Sequence, residues 1–204
     1  MKKVFILLLS ITLTFSMMSC SIFKSTDDSN KKTTESTKKS SKKTSEAKVE
    51  VLSEDPADVD YTEFQDVSID DDFDKVKDTL GQPTKLITED GEKTYYWEVN
   101  DNTNIAIKVD SKNNIISKAQ AGLDETYVNI TKAQYDQVEI GMTIDEVENI
   151  FGCKGRLTYQ EKTSDSSGDH VKDYYAFYTS DYNSALFTFT DGKLTSRAQN
   201  NLPE

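Results

Sequence analysis

From Phe64 onward the chain alternates between two spacings of apolar residues. Phe73, Val76 and Leu80 recur at helical intervals, as do Ile144, Val147, Ile150 and Phe151. Asp72 and Thr143 stand where N-cap side chains accept from exposed backbone N–H groups. Thr143 and Glu146 together form a capping box. Gly81 and Gly152 follow at once, where a left-handed C-cap residue belongs. Shorter preceding helices are expected near residues 61–66 and 132–137.

Each helical stretch gives way to period-two alternation, the spacing of half-buried strands. Asp90-Gly91 is a hairpin signal between "KLIT" and "KTYYWEV". Lys112-Asn113-Asn114 and Asp191-Gly192-Lys193 turn the chain between later strands. Alternation puts Tyr95, Trp97 and Val99 on one face and Tyr96 and Glu98 on the other. It separates Ile105, Ile107 and Val109 from Ala106 and Lys108, and Phe187 and Phe189 from Leu186, Thr188 and Thr190. In "KDYYAFY" it sets Tyr174, Ala176 and Tyr178 against Tyr175 and Phe177. Glu98 and Lys108 mark the solvated face. The expected open face carries Tyr96, Glu98, Tyr175, Phe177, Leu186 and Thr188, which are the candidate protein-binding residues.

The pattern occurs twice. Shifted by seventy-one residues, Val67 meets Val138, Ile69 meets Ile140, Val76 meets Val147, Leu80 meets Phe151 and Leu86 meets Leu157. "KTYYWEV" faces "KDYYAFY", and "IISKAQAGL" faces "LTSRAQNNL". The expected fold class is α+β: two tandem helix–helix–antiparallel-sheet units, at residues 56–126 and 127–204.

What precedes them is of another kind. Lys2 and Lys3 lead an apolar run from Val4 to Phe15, too short to span a bilayer comfortably, so residues 1–19 are expected to be a signal peptide. Met17-Met18-Ser19-Cys20 resembles a bacterial lipobox, which makes Cys20 the expected lipidation site and the new N-terminus. Residues 20–55 are rich in Ser, Thr, Lys, Asp and Glu and cannot bury enough surface to offset ordering entropy. They are expected to be a disordered tether, holding the chain on the outer face of a cell membrane.

Charge sharpens the division. Residues 1–50 carry 10 Lys/Arg and 5 Asp/Glu, so a chain of net charge −12 has −17 beyond that point. An acidic body on a basic tether argues against nucleic acid as a partner. With Cys20 lipidated, Cys153 has no partner for an internal disulfide, and the fold must rest on its core.

"YDQVEIGMTIDEVENIFG" followed by "LFTFTDGKLTSRAQNNL" resembles the secreted β-lactamase inhibitor protein family, and more closely the Gram-positive lipoproteins that carry a double repeat of such units. The resemblance spans about residues 61–204. It implies two sheets joined into one binding surface, a protein partner and no cofactor. The family's inhibitor enters its target with a first-unit strand beginning Asp-Tyr-Tyr. Here that place holds Thr94-Tyr95-Tyr96, and Asp173-Tyr174-Tyr175 lies in the second unit. Inhibition of a β-lactamase or penicillin-interactive enzyme is the alternative reading.

No catalytic set is expected. His170 sits in the polar stretch "TSDSSGDHVKD", taken as a solvated loop. Cys153 lies past a helix C-terminus, where the dipole raises a thiol pKa. Asp70, Asp71, Asp72 and Asp74 lack the Gly and Glu spacing of a calcium loop and suit a helix N-terminus. No metal, small-molecule substrate or phosphate loop is indicated.

Overall fold

The computed structural model describes residues 47–204; the signal sequence, Cys20 and most of the expected tether lie outside the described residues. Strand β1 (Lys48–Val51) comes first, then helices α1 (Tyr61–Asp66) and α2 (Phe73–Leu80) and strands β2 (Lys85–Glu89), β3 (Glu92–Asn100), β4 (Thr103–Val109) and β5 (Ile115–Ala121). The succession of two helices and four strands then recurs: α3 (Lys132–Tyr135), α4 (Ile144–Phe151), β6 (Arg156–Asp165), β7 (Gly168–Tyr178), β8 (Ser184–Thr190) and β9 (Lys193–Asn200). The strands form one nine-stranded antiparallel sheet in sequence order.

The helix boundaries follow from side chains named above. Asp72 accepts from the Lys75 N–H at 2.9 Å. Thr143 accepts from the Glu146 N–H at 3.3 Å, and Glu146 accepts from the Thr143 N–H at 2.7 Å. Gly152 closes α4 in the left-handed region at φ 69°, which a residue with a Cβ enters at a cost. Trp97 then ties sheet to helix, its indole N–H donating to the Gly81 carbonyl at 3.1 Å.

Two buried clusters lie between the helices and one face of the sheet. Phe64, Val76 and Leu80 pack on Trp97, Ile105, Ile107 and Val109. Val147 and Phe151 pack on Phe177, Phe187, Phe189 and Leu194. Tyr175 touches both clusters and joins them. Each buried aromatic or branched side chain contributes about 1.5–3 kcal/mol through area removed from water. Gly155 is fixed by close approach: a Cβ there would stand 2.6 Å from the Phe177 ring.

Between the clusters, β5 and β6 pair only at Ser117–Glu161, Lys118–Gln160 and Ala119–Tyr159. Past that point side chains replace the ladder. The Leu157 N–H donates to the Tyr61 hydroxyl at 2.6 Å, and the Gln120 amide donates to the Leu157 carbonyl at 3.2 Å. Lys118 is buried on the helix side and donates to the Phe64 and Val67 carbonyls at the end of α1. Burial lowers its pKa to about 8.

Three expectations change. The expected tether runs to residue 55, but Lys48–Val51 is a strand paired with β2 along its whole length. Four residues are too short a run for the alternation of Val49 and Val51 to announce a strand, and the waiting edge of β2 supplies the order. The stretch "TSDSSGDHVKD" is not a loop: it is the end of β6, a tight turn and the start of β7, with His170 opposite Thr163. Finally, Tyr175 and Phe177 belong to the helix-side core and not to the open face. Tyr175 lies opposite Phe187 in the ladder, so the two side chains share a face.

Candidate functional site

The ladder registers place one row of side chains across the face turned away from the helices. Lys85, Tyr96, Ala106, Ala119, Tyr159, Tyr174, Thr188 and Ser196 are consecutive partners from β2 to β9. Two small residues thus lie between Tyr96 on one side and Tyr159 and Tyr174 on the other. All five are half-buried by their neighbours and remain open to solvent above. Thr94, Lys108, Ser117, Glu161 and Lys172 form the adjacent row, with charges of both signs.

These aromatics are held in place. The Tyr159 and Tyr174 rings lie 5.3 Å apart. Their hydroxyls donate to the two oxygens of Glu161, at 3.1 and 2.9 Å respectively. Burial, and then the hydrogen bond to Glu161, push the Tyr174 phenol up to about 12, so it stays a neutral donor. Tyr96 is fixed by Lys85, whose ammonium lies 4.9 Å from the ring centre and pairs with Glu98. Such rigid rings lose little conformational freedom on binding.

Of the six residues expected on this face, Tyr96, Glu98, Leu186 and Thr188 are on it. Glu98 is engaged by Lys85, and Leu186 is exposed. Tyr175 and Phe177 are replaced by their neighbours: Tyr174 is the second-half tyrosine that faces out. Tyr159 was missed because β6 was not recognised as a strand. Val49 and Val51 were missed with β1; both are exposed on the same face, Val51 opposite Lys85.

A different concavity of 540 Å³ lies on the helix side, between Tyr61 of α1 and Ile144 and Glu148 of α4. Cys153 lines it. Burial, and next the Glu148 carboxylate, raise that thiol above its ordinary value, so it is a poor nucleophile. Among the described residues, no three His, Cys, Asp or Glu side chains gather closely enough to hold a metal ion.

One cluster has the connectivity of a hydrolytic triad. His170 Nε2 lies 2.8 Å from Ser167 Oγ, and Nδ1 lies 2.6 Å from Asp191 Oδ2. The resemblance stops there. The Ser167 hydroxyl donates to Asp165 Oδ1 at 2.5 Å, so its proton is not aimed at the ring. The Asp191 contact raises the His170 pKa and so favours the protonated ring.

Against known proteins, the family model for beta-lactamase inhibitor (BLIP) matches residues 60–176, more than half of the chain. The chain belongs to the beta-lactamase inhibitor (BLIP) family. The match begins at the N-cap of α1 and ends within β7. A candidate beta-lactamase inhibitor protein from Streptococcus mutans, crystallised at 1.40 Å resolution, is similar at 19% identity and a TM-score of 0.49. That similarity covers 64% of this chain and 83% of the other. No curated protein matches the chain at a significant level.

Proposed function

We propose that the chain is a surface-anchored, non-enzymatic lipoprotein that presents the open face of its sheet to a protein partner. The observation that carries this reading is the ordered row Tyr96–Ala106–Ala119–Tyr159–Tyr174. It sets preorganised aromatic rings around a shallow centre on a face that no helix covers among the described residues. Aromatic residues held rigid on an open surface supply contact area at low entropic cost. In this reading the two helix–helix–sheet halves are tandem copies of one unit, and joining them widens the face beyond what either offers. Cys20 carries the lipid, and residues 21–47 let the face stand off the membrane. The acidic body suits a partner with a basic surface.

The test is crosslinking on intact cells with wild type and the Tyr96→Ala/Tyr174→Ala pair. Loss of specific crosslinked species in the double variant supports the docking face; identical species in both overturn it. Anchoring is tested separately by Cys20→Ser, which is expected to release the protein into the medium. Retention of that variant at the membrane overturns lipid attachment at Cys20.

Family membership favours a second reading, that the partner is a β-lactamase or a penicillin-interactive enzyme and is inhibited. Inhibition at about nanomolar protein that is lost in the tyrosine pair supports it. No inhibition at about micromolar protein removes it.

A further inference from the structure

At one margin of the open face, β6, β7 and the turn between β8 and β9 converge on His170, the one histidine in the sequence. Its ring bridges two turns that the chain makes separately. On one side, Nδ1 meets Asp191 Oδ2 at 2.6 Å. On the other, Nε2 meets Ser167 Oγ at 2.8 Å and Asp165 Oδ1 at 3.4 Å. Asp165 Oδ1 accepts from the Ser167 N–H at 2.7 Å within its own turn. Asp191 is held to the backbone of β7, its N–H donating to the Val171 carbonyl at 2.8 Å and its Oδ1 accepting from the Val171 N–H at 3.0 Å.

Nδ1 therefore faces a carboxylate, and Nε2 faces a hydroxyl and a second carboxylate. A neutral imidazole has one donor and one acceptor and can donate from Nδ1 to Asp191 while accepting at Nε2 from the Ser167 hydroxyl; only the imidazolium donates to the carboxylates of both turns. We propose that His170 is a proton-operated clasp: its cationic form donates to the carboxylates of both the β6–β7 and the β8–β9 turns, and loss of the proton loosens its hold on the β6–β7 turn.

The surrounding charges agree. Asp165 faces the ring from β6, Asp191 from the turn, and Asp169 adjoins it on β7, where it is engaged by Ser164 and Lys162. Lys172, one step further along the same face, is the cation on its own strand. The Asp191 hydrogen bond is the leading cause of the raised His170 pKa, and Asp165 adds to it. With the folded pKa raised, the clasp is closed below about pH 6.5 and opens as pH rises through the folded value. Resting on the docking-face reading, the clasp would make the margin of that face firm under mildly acidic conditions and loose under basic ones.

The test uses the free protein, so it succeeds or fails independently of any partner. Amide exchange at residues 165–171 and 190–192 is followed by NMR from about pH 5 to pH 8.5, corrected for intrinsic rates, in wild type, His170→Gln and Asp191→Asn. Wild type should show protection that falls several-fold across the titration of the His170 ring. Both variants should show low protection with no inflection. Equal protection in wild type and His170→Gln, or a wild-type profile without an inflection, overturns the clasp. If the clasp holds and the tyrosine pair leaves crosslinking unchanged, the docking reading alone falls.

Discussion

Strands β3 and β7 carry nearly the same words, "TYYWEV" and "DYYAFY", and turn them to opposite effect. In β3 the second tyrosine, Tyr96, faces out and Trp97 is sealed in the core. In β7 the first tyrosine, Tyr174, faces out, while Tyr175 and Phe177 go inward. The largest ring after the tyrosine pair decides the parity. Trp97 follows the pair directly, but Phe177 follows it after Ala176, so the inward set moves by one residue. A one-residue displacement flips every side chain of a strand. The identity of the outward tyrosine is therefore a product of core packing and not of the Tyr-Tyr motif.

Substitutions can break this comparison, beginning with the most severe. Phe177→Ala removes a ring that lies edge-on to Phe151 at 4.8 Å and is 1% exposed. It should lower unfolding stability by about 3–5 kcal/mol in urea titration. A loss below about 1 kcal/mol would return Phe177 to the open face. Tyr174→Ala, on the open face of the same strand, gives up a half-buried ring beside Tyr159 and a hydroxyl bond to Glu161 and should cost less, about 2–3 kcal/mol. Next, Gly155→Ala presses a methyl into the Phe177 ring and should cost about 1–3 kcal/mol. Its effect should vanish when combined with Phe177→Ala, because the obstacle is gone.

Lys118 sharpens the contrast between the halves, since only the first core holds a buried ammonium among the described residues. Its folded pKa of about 8 lies below the ordinary 10.5, so between these values the unfolded chain binds more protons. Stability conferred through this group must rise with pH in that window. Wild type should therefore gain stability relative to Lys118→Met from about pH 8 to pH 10, measured by thermal unfolding. Parallel profiles would contradict the depressed pKa. The smallest effect belongs to the cap: Thr143→Ala should cost about 1 kcal/mol.

How far the sequence foretold this depends on the kind of signal. The helix starts at Asp72 and Thr143 and the stop at Gly152 were legible because a cap is a local bond. The core face of β3 and β4 was legible because charged Glu98 and Lys108 named the other side. Facing in β7 was not, because Tyr174, Tyr175 and Phe177 are all acceptable on either face and only Phe187 across the ladder chooses. Ile140 shows the limit of the pairing between halves: it stands in register with buried Ile69, yet is 62% exposed. β1 was hidden by its shortness and the β6–β7 hairpin by polar composition, since their order comes from the neighbouring strand. Tyr159 was lost with them, and so was the bridge from Ser167 to Asp191 through His170.

The most direct test of the docking face replaces single residues with a photo-crosslinking amino acid on living cells. Thr188 lies in the tyrosine row, while Asp74 is exposed on α2 at the opposite side of the sheet. Crosslinks to a discrete partner from position 188, and none from position 74, are the predicted result. The same species from both positions, or from position 74 alone, would contradict it.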